Sequence, residues 1–250
     1  MIYIGKKGFT LVELMVAMTI SSIVGILMVS AYQVQVRSKN TQEELTDMNQ
    51  TVRSAFETMN DEIRMAGLDP LSTANAGIMT ATPGEISFSF DIKDNAGTNA
   101  PDGDVNDPGE IIRYRLTNDA DNDGVNDDIK SGVECHLGRS ESGGPLEPFA
   151  LNVDAVNFVY LTDDNDGDGN PDVIPTPITT QSLRNSIRTV ELTVVARAGT
   201  KSGPFNKKFK DKKAYRNKRG NVVLPVQGNN GNKFRRLMVT VSIQCRNMGI

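Results

Sequence analysis

Lys6-Lys7-Gly8-Phe9-Thr10-Leu11-Val12-Glu13 opens an apolar run that continues to Ala31, and from Phe9 to Tyr32 the one charged side chain is Glu13. A helix of more than about 20 apolar residues crosses a bilayer, at about 1.5 Å per residue against a hydrocarbon core of roughly 30 Å. Two lysines just before it place the N-terminal end in the cytoplasm by the positive-inside bias, and the remainder on the far side. A secretory signal peptide shares the basic end, but it has a shorter apolar region and a small-residue cleavage site. Here the helical pattern runs on without a break. A carboxylate inside an apolar span is expensive and needs a partner.

Working outward, Leu45, Met48, Val52, Ala55, Phe56, Met59, Ile63 and Ala66 recur at threes and fours, an amphipathic stripe. No proline interrupts Phe9 to Gly67, and Gly67 followed by Asp69-Pro70 is a stop signal. The pattern predicts one helix of about 58 residues, roughly 87 Å long. Beyond Pro70 the period becomes two. Ile86, Phe88, Phe90 and Ile92 alternate with polar residues, followed by Ile112, Tyr114 and Leu116, then Val133, Cys135 and Leu137, then Val156, Phe158 and Tyr160. Val190, Leu192, Val194 and Ala196 come next, and finally Leu237, Val239, Val241, Ile243 and Cys245. The order predicts an α+β fold: a long N-terminal α-helix, membrane-spanning in its first half, packed against a mainly antiparallel β-sheet domain.

The 250 residues carry a net charge of −4, with no Trp and one histidine, His136. A single histidine excludes multi-histidine metal sites and leaves little room for histidine-based nucleophilic catalysis. There is no Gly-rich phosphate loop and no nucleophile motif, so the reading is not an enzyme. Two cysteines, Cys135 and Cys245, in an exported chain permit one disulfide, and two buried thiols is the alternative.

Two segments share one spacing. Asp119, Asp121 and Asp123 alternate before Gly124, with Asp127-Asp128 closing the run; Asp164, Asp166 and Asp168 alternate before Gly169, with Asp172 closing it. Alternating carboxylates around a glycine turn supply the six to eight oxygens that calcium takes, and Val125 and Asn170 hold the position that offers a backbone carbonyl. The spacing is similar to that of EF-hand-like and thrombospondin type 3-like loops. Position twelve is Lys130 in one and Pro175 in the other, so no bidentate glutamate closes either. One or two Ca2+ ions are the expected cofactor, against the alternative of plain Asp/Asn/Gly turns. Asp102, Asp104, Asn106 and Glu110 form a third, less regular group. A basic counterpart, Lys207, Lys208, Lys210, Lys212, Lys213, Arg216, Lys218 and Arg219, reads as a solvated hairpin loop or as a patch for an acidic partner such as DNA.

Gly8 followed by Phe9-Thr10-Leu11-Val12-Glu13 resembles the prepilin motif of type IV pilins and type II secretion pseudopilins. The resemblance implies a leader of residues 1–8, cleavage between Gly8 and Phe9 by prepilin peptidase, and N-methylation of Phe9. It implies a membrane and filament-core half over 9–32, an amphipathic half over 33–67 and a β-rich head over 68–250. Glu13 would pair with a neighbouring subunit's N-terminal ammonium, each charge neutralising the other. The stretches Asn60–Gly67 and Arg235–Gly249 resemble the helix end and C-terminus of PilW-like minor pilins, and also of J-type pseudopilins. The implied partners are other pilins, the peptidase and an inner-membrane assembly platform. The implied location is the inner membrane in a single pass, head outside the cytoplasm, and then the pilus. A J-type pseudopilin, or a membrane-anchored calcium-dependent binding module for surface ligands or DNA, are the alternatives.

Overall fold

The computed structural model describes residues 8–129, 133–198, 210–226 and 234–248. Residues 1–7, Lys130, Lys207, Lys208 and Gly249 lie outside them. A single helix, α1, spans Leu11–Met65. Two compact units divide it, Met1–Leu45 and Thr46–Ile250, so the globular unit begins inside the helix, not after it.

In the first unit the helix stands without a core: Leu14, Ile20, Ile26, Leu27 and Met28 are all exposed. In the second unit its remaining turns bury Met48, Val52, Ala55, Phe56, Met59 and Ile63, at the predicted spacing. The stop signal works as the sequence indicates. Gly67 adopts φ +81°, and its N–H leaves the helix to donate to the Ser89 carbonyl at 3.0 Å. Asn247, far away in sequence, donates its Nδ2 to the Arg64 carbonyl at 3.2 Å and so covers a helix end that has lost its own partners.

After the helix, strands β1 (Ile78–Ala81), β2 (Glu85–Ser89), β3 (Ile111–Leu116), β4 (Leu137–Glu141) and β5 (Glu147–Ala150) form an antiparallel meander in sequence order. A second antiparallel sheet has the order β11 (Arg236–Gln244), β8 (Thr189–Arg197), β6 (Val153–Leu161), β7 (Val173–Ile174). The hairpin of β9 (Tyr215–Arg216) and β10 (Val222–Leu224) and a short helix α2 (Gln181–Asn185) complete the fold. β6 and β8 are buried on both faces, which their Val-rich sequences permit. Tyr160 joins the sheets, its hydroxyl donating to the carbonyls of Thr82 and Glu85 at 3.1 Å each. The helix is tied to the first sheet by Glu62, which takes a 2.7 Å ion pair from Arg139 and a hydrogen bond from the Tyr114 hydroxyl.

Several expectations need correction. Phe90 and Ile92 do not continue β2, because the chain bends around Glu110, whose carbonyl and Oε1 accept their N–H groups at 3.1 and 2.8 Å. Val133 and Cys135 precede β4 and do not belong to it. The basic segment does lead into a hairpin, β9 with β10, but it is not merely solvated, since Arg219 pairs with Glu191 at 3.3 Å. Cys135 and Cys245 are both buried and both free. The Cys135 carbonyl accepts from Val153, whose strand partner is Ala196, whereas the Cys245 N–H donates to Arg188, next to Thr189. Seven residues of β8 separate those ends, roughly 23 Å at strand rise, against the 4.4–6.8 Å between Cα atoms that a disulfide needs. Burial pushes both thiols up, Cys245 to about 12. Thiol titration without reductant is therefore expected to find no reactive cysteine in the folded chain and two after denaturation. Zero after denaturation would show a bridge.

Candidate functional site

Glu13 occupies the first turn of α1, where a reciprocal cap forms. The Thr10 N–H donates to its Oε2 at 2.8 Å and the Thr10 hydroxyl at 3.0 Å, while the Glu13 N–H donates back to Thr10 Oγ1 at 3.3 Å. Thr-x-x-Glu is the capping-box spacing, a signal present in the sequence that the charge argument passed over. Just before it, Gly8 has open space around it and Phe9 is 91% exposed, so the Gly8–Phe9 bond is accessible. Along the apolar stretch the hydroxyls look after themselves: Thr19 donates to Met15 O at 2.5 Å and Ser22 to Met18 O at 2.7 Å. Bonding a hydroxyl back to the helix's own carbonyls lowers the cost of carrying Thr19 and Ser22 in lipid. Among the described residues this is the one helix long and apolar enough to cross a membrane.

The first acidic loop lies between β3 and β4. Asp119 is buried, its carboxylate accepting the N–H groups of Asp123 at 3.2 Å and Gly124 at 3.0 Å. Asp123 turns back to its own Val125 N–H at 2.7 Å, Asp128 is bonded by Asn118 at 3.3 Å, and Val125 bridges to Ala155 on β6. The carboxylates that converge are Asp119, Asp121 and Asp127, with oxygens within 4.8 Å of one another. Asp123 and Asp128 are not in that group. Burial, and then the charges of Asp121 and Asp123, push Asp119 up to about 6. A buried carboxylate crowded by two others is a donor set in need of a cation, and the buried Asn122 Oδ1 has no hydrogen-bond partner. The residues present fit calcium.

The second loop lies between β6 and β7. Asp164 accepts from Gly167 at 2.7 Å and Gly169 at 2.8 Å, and converges with Asp166 and Asp168. Asn170 folds back onto Asp168, and Asp172 is occupied by Asn165 at 3.1 Å. All three converging carboxylates are exposed, and the Gly169 N–H holds Asp164 below the usual carboxylate range. Water already solvates this loop, so it has the ligands without the buried charge.

Much of the basic segment is used internally. Arg219 reaches Glu191 at 3.3 Å, Lys218 the Ser242 hydroxyl at 2.8 Å, and Arg216 the Gly220 carbonyl at 2.8 Å. Lys210, Lys212 and Lys213 are exposed.

Residues 5–29 match the family described as the prokaryotic N-terminal methylation motif. That match spans the start of the apolar helix and none of the head. No curated protein matches it. Among solved structures, the type IV-like pilin TTHA1219 from Thermus thermophilus aligns over 80% of this chain and 96% of its own, at 12% identity and a TM-score of 0.46. The motif covers the exposed Gly8–Phe9 bond and the Glu13 cap, the two features that geometry singles out.

The two loops make different demands on glycine. Gly124 has φ +86°, and a Cβ there would run into the Val156 carbonyl, with Gly84 Cα at 3.1 Å. Gly167 has φ +79° and open space. Gly124→Ala is expected to destabilise the protein by about 2–4 kcal/mol and Gly167→Ala by about 1 kcal/mol, compared by urea unfolding.

Proposed function

We propose that this pilin-like chain is a PilW-like minor pilin, cut between Gly8 and Phe9 by prepilin peptidase, methylated on Phe9, and moved from the inner membrane into a pilus. The single observation that carries the reading is a bare apolar helix preceded by an exposed glycine–phenylalanine bond, with one carboxylate in its first turn. In a filament that helix packs on copies from other pilins. The N-terminal ammonium created by cleavage meets Glu13 of a neighbour, and each charge removes the other's desolvation cost.

Glu13→Ala and Glu13→Gln separate the two duties of this side chain. Glutamine keeps the reciprocal cap with Thr10 and loses the charge. Both variants are expected to insert in the membrane as wild type does and to fall at least tenfold in sheared filaments, a loss of about 1.4 kcal/mol or more. Normal incorporation of the glutamine variant would reduce Glu13 to a helix cap. Mass spectrometry of the mature protein is expected to find methylated Phe9 at its start, and retention of residues 1–8 would refute processing.

The acidic loop at Asp119, Asp121 and Asp127 is proposed to hold Ca2+, with the exposed Asp164 loop a weaker second site. Asp119 retains its proton in the folded state until about pH 6, above the ordinary carboxylate range, so without metal its contribution to stability falls as pH rises from about 4 to 6. Binding a cation above pH 6 meets a bare carboxylate, and below it must release a proton. Calorimetry with CaCl2 is expected to show about tenfold weaker binding at pH 5 than at pH 7. Equal affinity at both pH values would remove Asp119 from the ligand set.

A further inference from the structure

A third acidic group lies in the 94–110 connection between β2 and β3, and its composition differs from what spacing suggested. Glu110 does not belong to it. That side chain is fully buried and spent on the backbone: Oε1 accepts from Ile92 at 2.8 Å and Lys93 at 2.9 Å, and Oε2 from Asp107 at 3.4 Å. Its place is taken by Asp107, whose carboxylate converges with those of Asp102 and Asp104, oxygens within 4.8 Å of one another.

Asp107 is the telling member. It is 5% exposed, and its buried Oδ2 has no hydrogen-bond partner. Its surroundings are acidic: the Asp102 and Asp104 carboxylates converge on it, and its own N–H meets Glu110 Oε2. Lys93, the nearby cation, spends its Nζ on the Pro108 carbonyl at 2.8 Å. Among the described residues no basic side chain forms an ion pair with Asp107. A buried carboxylate oxygen in such company is costly unless something positive binds it.

We propose that Asp102, Asp104 and Asp107 form a calcium site of their own, with Asp107 as the buried ligand. Three carboxylates overcompensate a divalent charge, and an adaptable oxygen-lined loop suits calcium better than magnesium, which demands strict octahedral geometry. Ion binding here fixes the connection that brackets Asp91, which itself holds the N–H groups of Asp102 at 3.2 Å and Gly103 at 3.1 Å. The site stands independently of the pilin reading and of the Asp119 loop.

The test is deuterium exchange of the full chain in detergent micelles, with CaCl2, MgCl2 or chelator, read on peptides that separate residues 99–110 from 117–129. Calcium is expected to slow exchange in 99–110 at least tenfold, magnesium much less. Asp107→Asn abolishes that slowing and leaves the 117–129 response intact. In chelator the same variant melts no lower than wild type, because it removes an unpaired buried charge. Asp104→Asn, at a more accessible position, repeats the loss of the calcium response. No calcium effect on 99–110, an undiminished effect in Asp107→Asn, or a melting loss equal with and without calcium would overturn the site.

Discussion

The first 24 residues of the helix bury nothing within their own unit, and everything else about the molecule follows from finding somewhere to put them. From Phe9 to Val34 the large side chains are 43–91% exposed. At about 2 kcal/mol for each one removed from water, the stretch represents tens of kcal/mol. A whole domain is stable by only about 5–15 kcal/mol, so no rearrangement of the head could compensate for leaving this surface wet. Lipid or the helices of other subunits must cover it. Glu13 is then the one charged side chain in the span, and in the proposed filament it distinguishes the two environments, because lipid offers no counter-charge and a neighbour's N-terminal ammonium would.

The head solves the opposite problem, how to hold charge in a dry interior. Asp154 is fully buried between Arg236 at 2.7 Å and Arg197 at 3.4 Å, and Arg236 goes on to Asp211 at 3.1 Å. Asp211 also accepts the Tyr215 hydroxyl at 2.9 Å. This chain of charges links β6, β8 and β11 to the segment carrying the hairpin, which is why that segment packs and is not simply solvated. Removing one member would strand the others, so such networks specify geometry more than they add stability. Glu62 does the same work for the helix with Arg139 and Tyr114. By the same logic a buried acid without an arginine, such as Asp107, is conspicuous.

What was legible in the sequence follows from how local the cause is. The long helix rests on spacing and on Gly67, whose left-handed turn only a residue without Cβ makes easily, and both are local signals. The long strands β6, β8 and β11 are runs of β-branched residues and showed plainly. Strands β1, β5 and β7 did not, being only two to four residues long, too short to show an alternation. Alternation alone placed Phe90, Ile92, Val133 and Cys135 in strands; they are buried or half-exposed for other reasons, since Glu110 captures the first two and a loop carries the others. The acidic repeats were legible as motifs, but which carboxylates converge was not. Asp123 and Asp128 have the right spacing and are taken by backbone and Asn118, whereas Asp127 reaches in. Asp107 was invisible, because its burial depends on the packing of β2 and β3 and not on any pattern in its own loop.

The capping box changes how Glu13 can survive before assembly. A bare carboxylate near the lipid interior would favour its neutral form or drag water in. Here one oxygen already accepts two hydrogen bonds from Thr10, and the Glu13 N–H is satisfied in return, so the cost of waiting in the membrane is reduced within the chain itself. In the proposed filament a neighbour's ammonium would have to outbid solvent and lipid only for the remaining lone pairs. If the cap is kept in the proposed filament, the energy that distinguishes an assembled subunit from a free one resides in the proposed charge pair and in the burial of the apolar helix. In the proposed filament the charge pair would fix axial position and the apolar surface would supply the drive, and neither does the other's task.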